Sequence, residues 1–473
     1  MTGPSERFLD DFERHGSTLG TWEKFVALVR EHPDALPSLV EGGLRRRLSG
    51  ARFLGDAVSY LPASAVAALA ELAVRLHVPE QKRSTGREMR SASEEVLWRV
   101  ALQFPRLLHP WLTELFEQEV GFDEYYGVHP WRESGERHHA YLLNVVRSSG
   151  SGKRAARALE CLLETRTPAA FRAVERHEHL LMHGNARLRH WARIEWHLPG
   201  VGYERARGRS ARAGSGWARS AAASLLARLP HPGKEPWRRL YPEASYHLGF
   251  PEDYLPQHGA GWRDHPTFHL DSEGAVPARL GGAGAAECGV CGRRAHHLLT
   301  LDPVPAGLGV TSVPALALET CLHCIWDNSE LWWKHDRAGR PTPHPRQDGD
   351  PDHGMERVPL RETTVRLVPT PARWYWQDAR NERENLTRLG GYPTWIQSAG
   401  YPSCPDCQKT MPFLFQLDAV CPGEGAGTFG DGGEIFDDRG EPFGGGGQTF
   451  GDGILYTYWC DACRVSVSVP QGT

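Results

Sequence analysis

Apolar residues recur every three or four positions through the first 240 residues, which is the spacing of helices that bury one face. The clearest runs cover residues 22–29, 65–74, 95–102 and 111–116. Prolines fall between these runs, where helices are expected to begin or end. The pattern therefore predicts an N-terminal α-helical domain over residues 1–240.

The apolar runs become short and regular between residues 151 and 198, at 155–163, 168–174 and 185–194. This spacing resembles HEAT-like repeats, in which helix pairs stack into a solenoid with a concave surface. An irregular helical domain is the alternative interpretation. Residues 200–240 are rich in Arg, Gly, Ala and Ser, and we interpret them as a connector with a candidate helix at 217–229.

Beyond residue 240 the composition shifts to Pro, Gly, Trp, Tyr and Cys, and strand-like runs replace the helical spacing. We therefore predict a second, β-rich domain over residues 241–473. The expected fold class is α+β multidomain, with the helical and partly solenoid-like domain first.

The C-terminal half contains an internal repeat. Arg-Leu-Gly-Gly occurs at residues 279–282 and again at 388–391, and each is followed by a Cys-x-x-Cys pair. In both copies an apolar run then ends in an aspartate, Asp302 or Asp418, 11 residues after the second cysteine of the pair. The copies cover about 265–330 and 374–470, and the second carries a Gly-rich insertion at about 421–453.

Eight of the ten cysteines form four Cys-x-x-Cys pairs. The repeat assigns two pairs to each copy, so one site is predicted to contain Cys288, Cys291, Cys321 and Cys324, and the other Cys404, Cys407, Cys460 and Cys463. Four thiolates suit tetrahedral Zn²⁺ and leave no open position, which is typical of structural sites. We predict two structural zinc ions; iron–sulfur centres and redox-active disulfides are the alternatives.

The two pairs of each copy are separated by 29 and 52 residues. Both gaps exceed the usual zinc-ribbon spacing of about 15–20 residues. The sites are therefore either zinc ribbons with a larger insert or knuckles that clamp the edge of a bigger sheet. His296 or His297 could replace a cysteine in the first site, but four sulfurs suffice, and we expect both histidines at an exposed strand start. For Asp302 and Asp418 we prefer strand-ending Asx turns over a shared functional role.

No enzyme motif is complete in this sequence. Gly152-Lys153 lacks the other residues of a phosphate-binding loop, and the Gly-x-Gly-x-x-Gly at 425–430 opens no helix. His177, His179 and His183 have a metal-compatible spacing, but we expect them on a helix surface. Cys161 lies in an apolar run and is expected to be a small buried hydrophobe. We therefore expect no catalytic residues and no cofactor besides zinc.

The net charge of −4 conceals a basic region, since residues 141–240 hold 19 Lys and Arg against 7 Asp and Glu. A solvated helix face is the simple interpretation, and a surface for an acidic partner or nucleic acid is the alternative. No run of 18 apolar residues exists, so we expect no membrane span. The first residues lack a secretory signal pattern, so we expect the protein to be cytoplasmic.

The second copy resembles the YwqG-like bacterial family of uncharacterised function. The resemblance rests on Leu-Gly-Gly-Tyr-Pro-Thr-Trp-Ile-Gln at 389–397, Cys-Pro-Asp-Cys at 404–407, the run at 411–418, and 450–456 followed by Cys-Asp-Ala-Cys at 460–463. It implies duplicated β-rich halves, and it suggests an immunity or toxin-associated role because some members lie beside polymorphic toxin genes. We therefore expect a non-enzymatic, protein-binding scaffold. The alternative is a nucleic-acid-binding protein that uses zinc ribbons and the Arg-rich 141–240 segment.

Overall fold

A computed structural model of the 473-residue chain describes residues 3–77, 90–121, 127–132, 134–149, 153–165, 240–254, 265–325, 330–347, 359–377, 384–396, 400–418 and 453–472. Several predicted features lie outside these residues. They are the HEAT-like runs at 168–174 and 185–194, the candidate helix at 217–229, the Gly-rich insertion, most of the Arg-rich segment, and the three histidines His177, His179 and His183.

The chain divides into two compact units, one mainly N-terminal and helical and one C-terminal and built of strands. The α+β class is therefore confirmed. The helices are α1 (Pro4–His15), α2 (Leu19–Glu31), α3 (Leu36–Arg46), α4 (Arg52–Ser59), α5 (Ala63–Leu76), α6 (Ala92–Gln103), α7 (Leu112–Glu117), α8 (Glu136–Ser148) and α9 (Lys153–Glu164). Short 3₁₀ turns lie at Pro33–Ala35, Pro105–Trp111, His129–Trp131, Pro266–Phe268 and Ala372–Trp374. Among these described helices, none has the length and apolar character needed to cross a membrane.

The helices form where local signals and apolar spacing agree. Ser91 begins α6 with a capping box, because its side chain accepts from the Glu94 N–H while the Glu94 carboxylate accepts from the Ser91 N–H. The apolar faces meet in one core, where the rings of Phe8 and Phe53 pack edge to face at 4.9 Å. Cys161 on α9 is fully buried in this core, as predicted.

The C-terminal unit contains one large antiparallel sheet. Its strands are β1 (Ser245–Gly249), β2 (Val276–Leu280), β3 (Ala283–Glu287), β4 (Arg294–Leu301), β5 (Leu316–Thr320), β6 (Leu331–His335), β7 (Pro341–Pro343), β8 (Thr363–Pro369), β9 (Arg388–Gly390), β10 (Phe413–Asp418), β11 (Gly453–Cys460) and β12 (Val465–Gly472). The order is β3-β4-β2-β8-β1-β9-β10-β11-β12-β6-β7, with β5 also paired to β4.

The sheet curls into a near-barrel, so that strands from its two ends approach each other. The backbone N–H of Ala317 in β5 donates to the carbonyl of Gly339, in the turn between β6 and β7, at 3.1 Å. The described strands do not form separate zinc ribbons, which are one of the two predicted arrangements. The cysteine pairs instead project from one continuous sheet, which corresponds to the predicted alternative of knuckles on a bigger sheet.

The internal repeat is visible in the strand registers. Leu280 of β2 lies opposite Leu299 of β4, and at the equivalent positions Leu389 of β9 lies opposite Phe415 of β10. Leu299 and Phe415 also follow directly after the register shifts that interrupt the β4–β5 and β10–β11 ladders. The two copies therefore share their pairing in detail, including the place of a bulge.

The strand that precedes each copy pairs with the other copy. β1 precedes the first copy but pairs with β9 of the second, whereas β8 precedes the second copy and pairs with β2 of the first. The Gly-Gly pairs allow this exchange. A Cβ on Gly281 (φ +79°) would lie 2.4 Å from the carbonyl oxygen of Arg361, and one on Gly390 (φ +65°) would lie 2.2 Å from that of Ala244. The Ala244 carbonyl lies just before β1, and the Arg361 carbonyl lies just before β8.

Candidate metal centre

The first cysteine group lies where β3, β4 and β5 meet. Cys288 and Cys291 occupy the turn from β3 to β4, and Cys321 and Cys324 occupy the turn directly after β5. The four sulfur atoms all lie within 4.8 Å of one another. Because β5 pairs with β4, the antiparallel ladder brings the two turns to the same end of the sheet.

The second group has the same arrangement in the other copy. Cys404 and Cys407 lie in the turn that leads to β10, Cys460 is the last residue of β11, and Cys463 lies in the turn from β11 to β12. Their sulfur atoms are also within 4.8 Å of one another. The structure thus brings the eight cysteines together in the two groups of four that the repeat predicts.

The first turn of each group is built alike. The N–H of Gly292 donates to the carbonyl of Cys288 at 2.9 Å, and the N–H of Gln408 donates to that of Cys404 at 2.8 Å. Both donors adopt a left-handed backbone, with φ of 69° and 60°. This conformation closes the turn after the second cysteine and aims both thiols to one side.

The sulfur spacing fits a single tetrahedral ion. Cys291 Sγ lies 3.7 Å from Cys321 Sγ, and Cys407 Sγ lies 3.7 Å from Cys460 Sγ. A tetrahedron with Zn–S bonds of about 2.3 Å has edges of about 3.8 Å, whereas a disulfide would place sulfurs about 2.05 Å apart. An iron–sulfur cluster would interpose several atoms between the cysteines, so the compact group suits one mononuclear ion.

The surroundings of the first group favour the thiolate form of Cys288, whose negative charge in turn raises the pKa of Cys321 and Cys324. Hydrogen bonds from the thiols of Cys321 and Cys324, and then from backbone N–H groups, hold the pKa of Cys288 well below its usual range. One of these is the N–H of Val290, 3.4 Å from the Cys288 sulfur. The side-chain oxygen of Gln347 lies 4.0 Å from the same sulfur. Thiolate is the form that binds metal.

Two aspartates inside the cysteine pairs connect the second group to more distant parts of the sheet. Asp461 reaches the first copy, where it accepts from the backbone N–H groups of Thr311 and Ser312 at 2.8 and 3.0 Å, and also from both of their hydroxyls. Asp406 reaches the segment between the copies, where it forms an ion pair with Lys334 of β6 and a 2.9 Å contact with His344 Nε2. Neither aspartate is among the residues predicted from the sequence, although an acidic residue inside a Cys-x-x-Cys turn is a visible signal.

The expectation that His296 and His297 lie exposed at a strand start is wrong, because both are buried within β4. His297 contacts the Gly281 carbonyl at 2.7 Å and the Thr300 hydroxyl at 2.6 Å, and burial lowers its pKa to about 4. His296 Nδ1 accepts from the N–H of Leu322, inside the second cysteine turn, at 3.2 Å. His296 therefore supports that turn, and neither histidine joins the four sulfurs.

Asp302 and Asp418 occupy equivalent places but different environments. Asp302 is exposed and precedes a cis peptide bond to Pro303. Asp418 is buried, and its backbone N–H donates to the hydroxyl of Thr387 at 3.2 Å. The repeat thus preserves the residue that follows β4 and ends β10 without preserving its burial.

Comparisons with known proteins do not assign this chain to a family. No family model and no solved structure matches the chain. A stretch of 32 residues is 53% identical to the uncharacterized protein YpfL of Salmonella typhimurium, and it spans 7% of this chain and 8% of YpfL. The resemblance to the YwqG-like family therefore remains a prediction, and the case for function rests on the site itself.

Proposed function

We propose that each cysteine group holds one Zn²⁺ ion and that the protein is a non-enzymatic, zinc-stabilised scaffold for a protein partner. The observation that carries the metal proposal is the pair of four-sulfur groups, each within 4.8 Å. Cys288, Cys291, Cys321 and Cys324 would hold one ion, and Cys404, Cys407, Cys460 and Cys463 the other. Bound zinc supplies a fixed tetrahedral link between the turns that it joins.

A structural rather than catalytic role follows from the donor set. Four sulfurs saturate a tetrahedral ion, whereas catalytic zinc keeps a position for water. In the first site the link would join the β3–β4 turn to the end of β5, and in the second the entrance of β10 to the β11–β12 turn. Both links would fix the ends of strands in the sheet.

A protein partner is supported by two features of the sequence. The HEAT-like spacing predicts a helical surface that suits protein ligands, and the resemblance to the YwqG-like family suggests an immunity or toxin-associated role. The HEAT-like spacing and the family resemblance both support a protein-binding function by analogy. The metal sites contribute rigidity to the C-terminal unit and no reactivity of their own toward a substrate.

Metal content of the purified protein, measured by inorganic mass spectrometry, tests the metal proposal. We expect about two zinc ions per chain, falling to about one in Cys404→Ser/Cys460→Ser and also in the matched Cys288→Ser/Cys321→Ser variant. Iron in place of zinc would contradict the ion's identity. A protein without bound metal would overturn the proposal.

Fluorescence anisotropy with generic duplex DNA and single-stranded RNA separates the scaffold from its alternative. We expect no binding at physiological salt. Affinity that falls steeply as salt rises from 50 to 200 mM, values chosen because phosphate contacts respond strongly over about this range, would favour nucleic-acid binding through the Arg-rich segment.

A further inference from the structure

The two cysteine groups differ in how many sulfurs solvent can reach. In the first group Cys288, Cys321 and Cys324 are buried, with at most 2% of each residue exposed. Cys291 is half-buried and is the single accessible member of that group. An oxidant that approaches the first group therefore meets one sulfur.

The second group offers two accessible sulfurs. Cys404 is fully buried and Cys460 is 7% exposed, whereas Cys407 and Cys463 are both half-buried. The two accessible residues come from different turns, one before β10 and one before β12. Their sulfur atoms lie within 4.8 Å of each other, so small side-chain rotations can bring them to bonding distance.

We propose that Cys407 and Cys463 form an oxidant-reactive pair, which peroxides convert to a disulfide with release of the zinc ion of the second group. The first group loses its ion more slowly under the same conditions. This inference rests on the proposed zinc binding and adds a chemical difference between the two sites.

The reaction balances with a peroxide as the oxidant. The Cys407 thiolate attacks one peroxide oxygen, so that an S–O bond forms, the O–O bond breaks and hydroxide leaves as water after protonation. The Cys463 thiolate then attacks the sulfenic sulfur; an S–S bond forms, the S–O bond breaks and a second water leaves. Two thiolates lose two electrons to the peroxide, two protons come from solvent, and Zn²⁺ loses two of its four ligands.

The number of exposed sulfurs explains why the first group reacts more slowly. Peroxide reaches one half-buried sulfur, Cys291, in the first group, but two, Cys407 and Cys463, in the second. A sulfenic acid on Cys291 also has a sulfur beside it, since Cys321 Sγ lies 3.7 Å away, so the two groups differ in the first step of the reaction. The exposed pair, and not the four-cysteine composition that both groups share, therefore determines the difference.

Release of the second ion has a structural consequence. Asp461 lies next to the ligand Cys460 and holds the 311–312 loop of the first copy, and Asp406 lies next to Cys407 and contacts β6. Oxidation therefore loosens the connections of the second group to the first copy and to β6. The oxidised protein that has lost the second ion is expected to lose amide-exchange protection in β6 and near residues 311–312.

The test uses the purified full-length protein. Its zinc content is measured first, and hydrogen peroxide is then added in the presence of a chromogenic zinc chelator. We expect one of two zinc ions to be released severalfold faster than the other, because oxidation rates follow thiolate exposure. Differential alkylation and peptide mass spectrometry after the fast phase should find a Cys407–Cys463 disulfide before a disulfide forms in the first group.

Matched ligand replacements distinguish a reactive Cys407–Cys463 pair from a second site that loses zinc easily for another reason. Cys463→His keeps a four-ligand set but removes one exposed sulfur, so its second zinc should leave at the slow rate. Cys324→His makes the same change at a buried position of the first group and should leave the fast phase unaltered. Unmodified protein provides the disulfide map even if a variant fails to fold.

The outcomes are distinguishable. Equal release rates for two zinc ions, faster loss from the first group, or a disulfide between other cysteines would overturn the reactive pair and leave the zinc proposal standing. A protein that contains no zinc before peroxide is added would overturn the zinc proposal, and the reactive pair with it.

Discussion

Arg388 is a fully buried cation whose partners are mainly backbone carbonyls. Its guanidinium donates to the carbonyls of Trp374, Tyr375 and Tyr392, and to the hydroxyl of Thr394 at 3.3 Å. Burial lowers its pKa to about 10, so it stays charged at neutral pH. The side chain thus satisfies the carbonyls of Trp374, Tyr375 and Tyr392, which could not otherwise be buried without losing hydrogen bonds.

Replacing Arg388 with Ala should lower the free energy of unfolding by about 3–5 kcal/mol, because several buried carbonyls would lose their donor. The repeat supplies the control. Arg279 occupies the equivalent position in the first copy, but its side chain is 57% exposed, and Arg279→Ala should cost less than about 0.5 kcal/mol. Urea unfolding of both variants gives the comparison; equal effects would contradict the assignment.

His247 is a buried, neutral histidine in the middle of the sheet. It has no exposed surface, and its ring nitrogens lie 3.0 Å from the Thr370 hydroxyl and 3.0 Å from the Gln377 side-chain oxygen. Burial, and then the charge of Arg388, lowers its pKa to about 3. The unfolded chain has an ordinary histidine pKa of about 6.5, so the unfolded state takes up a proton first as the pH falls.

The contribution of His247 to stability should therefore be complete above pH 6.5 and decrease as the pH falls toward 3, by up to about 1.4 kcal/mol per pH unit. Urea unfolding between pH 8 and pH 5 measures this slope. His247→Gln should have a shallower slope than the parent protein. Parallel pH profiles for the parent and His247→Gln would refute the interpretation.

At the scale of elements, the Gly-Gly turns permit strand exchange. Gly390 combines a left-handed backbone with a neighbouring carbonyl that leaves no room for a Cβ. Gly390→Ala should lower the free energy of unfolding by about 2–4 kcal/mol, through backbone strain and the steric clash. Gly400→Ala is the control, since a Cβ there meets nothing within 4 Å. Similar melting temperatures for both variants would show that the close approach relaxes easily.

The sequence predicted those elements whose signals are local. The period of 3–4 predicted α2, α5, α6, α7 and α9, but it marked no run in α1, α3, α4 or α8. The repeated Cys-x-x-Cys pairs separated the two ligand groups, because each pair and its strands lie within one copy. It did not predict β1 and β8, which lie outside the repeat boundaries at 265 and 374 and pair with the opposite copy. It also missed the pairing of β6 with β12, because no local pattern records a partner more than 100 residues away.

The burial of His296 and His297 shows the same limit at the candidate site. Polar residues at a strand start are usually exposed, but here β2 and β3 run along one edge of β4 and β5 along the other. Position in the finished sheet, and not residue type, decided their environment.

At the scale of the whole molecule, the exchange of β1 and β8 makes the C-terminal unit resemble two subunits that have been joined into one polypeptide. A chain with only residues 359–473 would leave β8 without β2 and β9 without β1, and two identical chains would satisfy both by pairing about a twofold axis. Light scattering should therefore find this fragment as a homodimer with one zinc per subunit, and a folded monomer would argue against it. A gene fusion of such a dimer would free each half to diverge, so that one half acquires a long insertion and two half-buried cysteine ligands while the other keeps three of its four ligands buried.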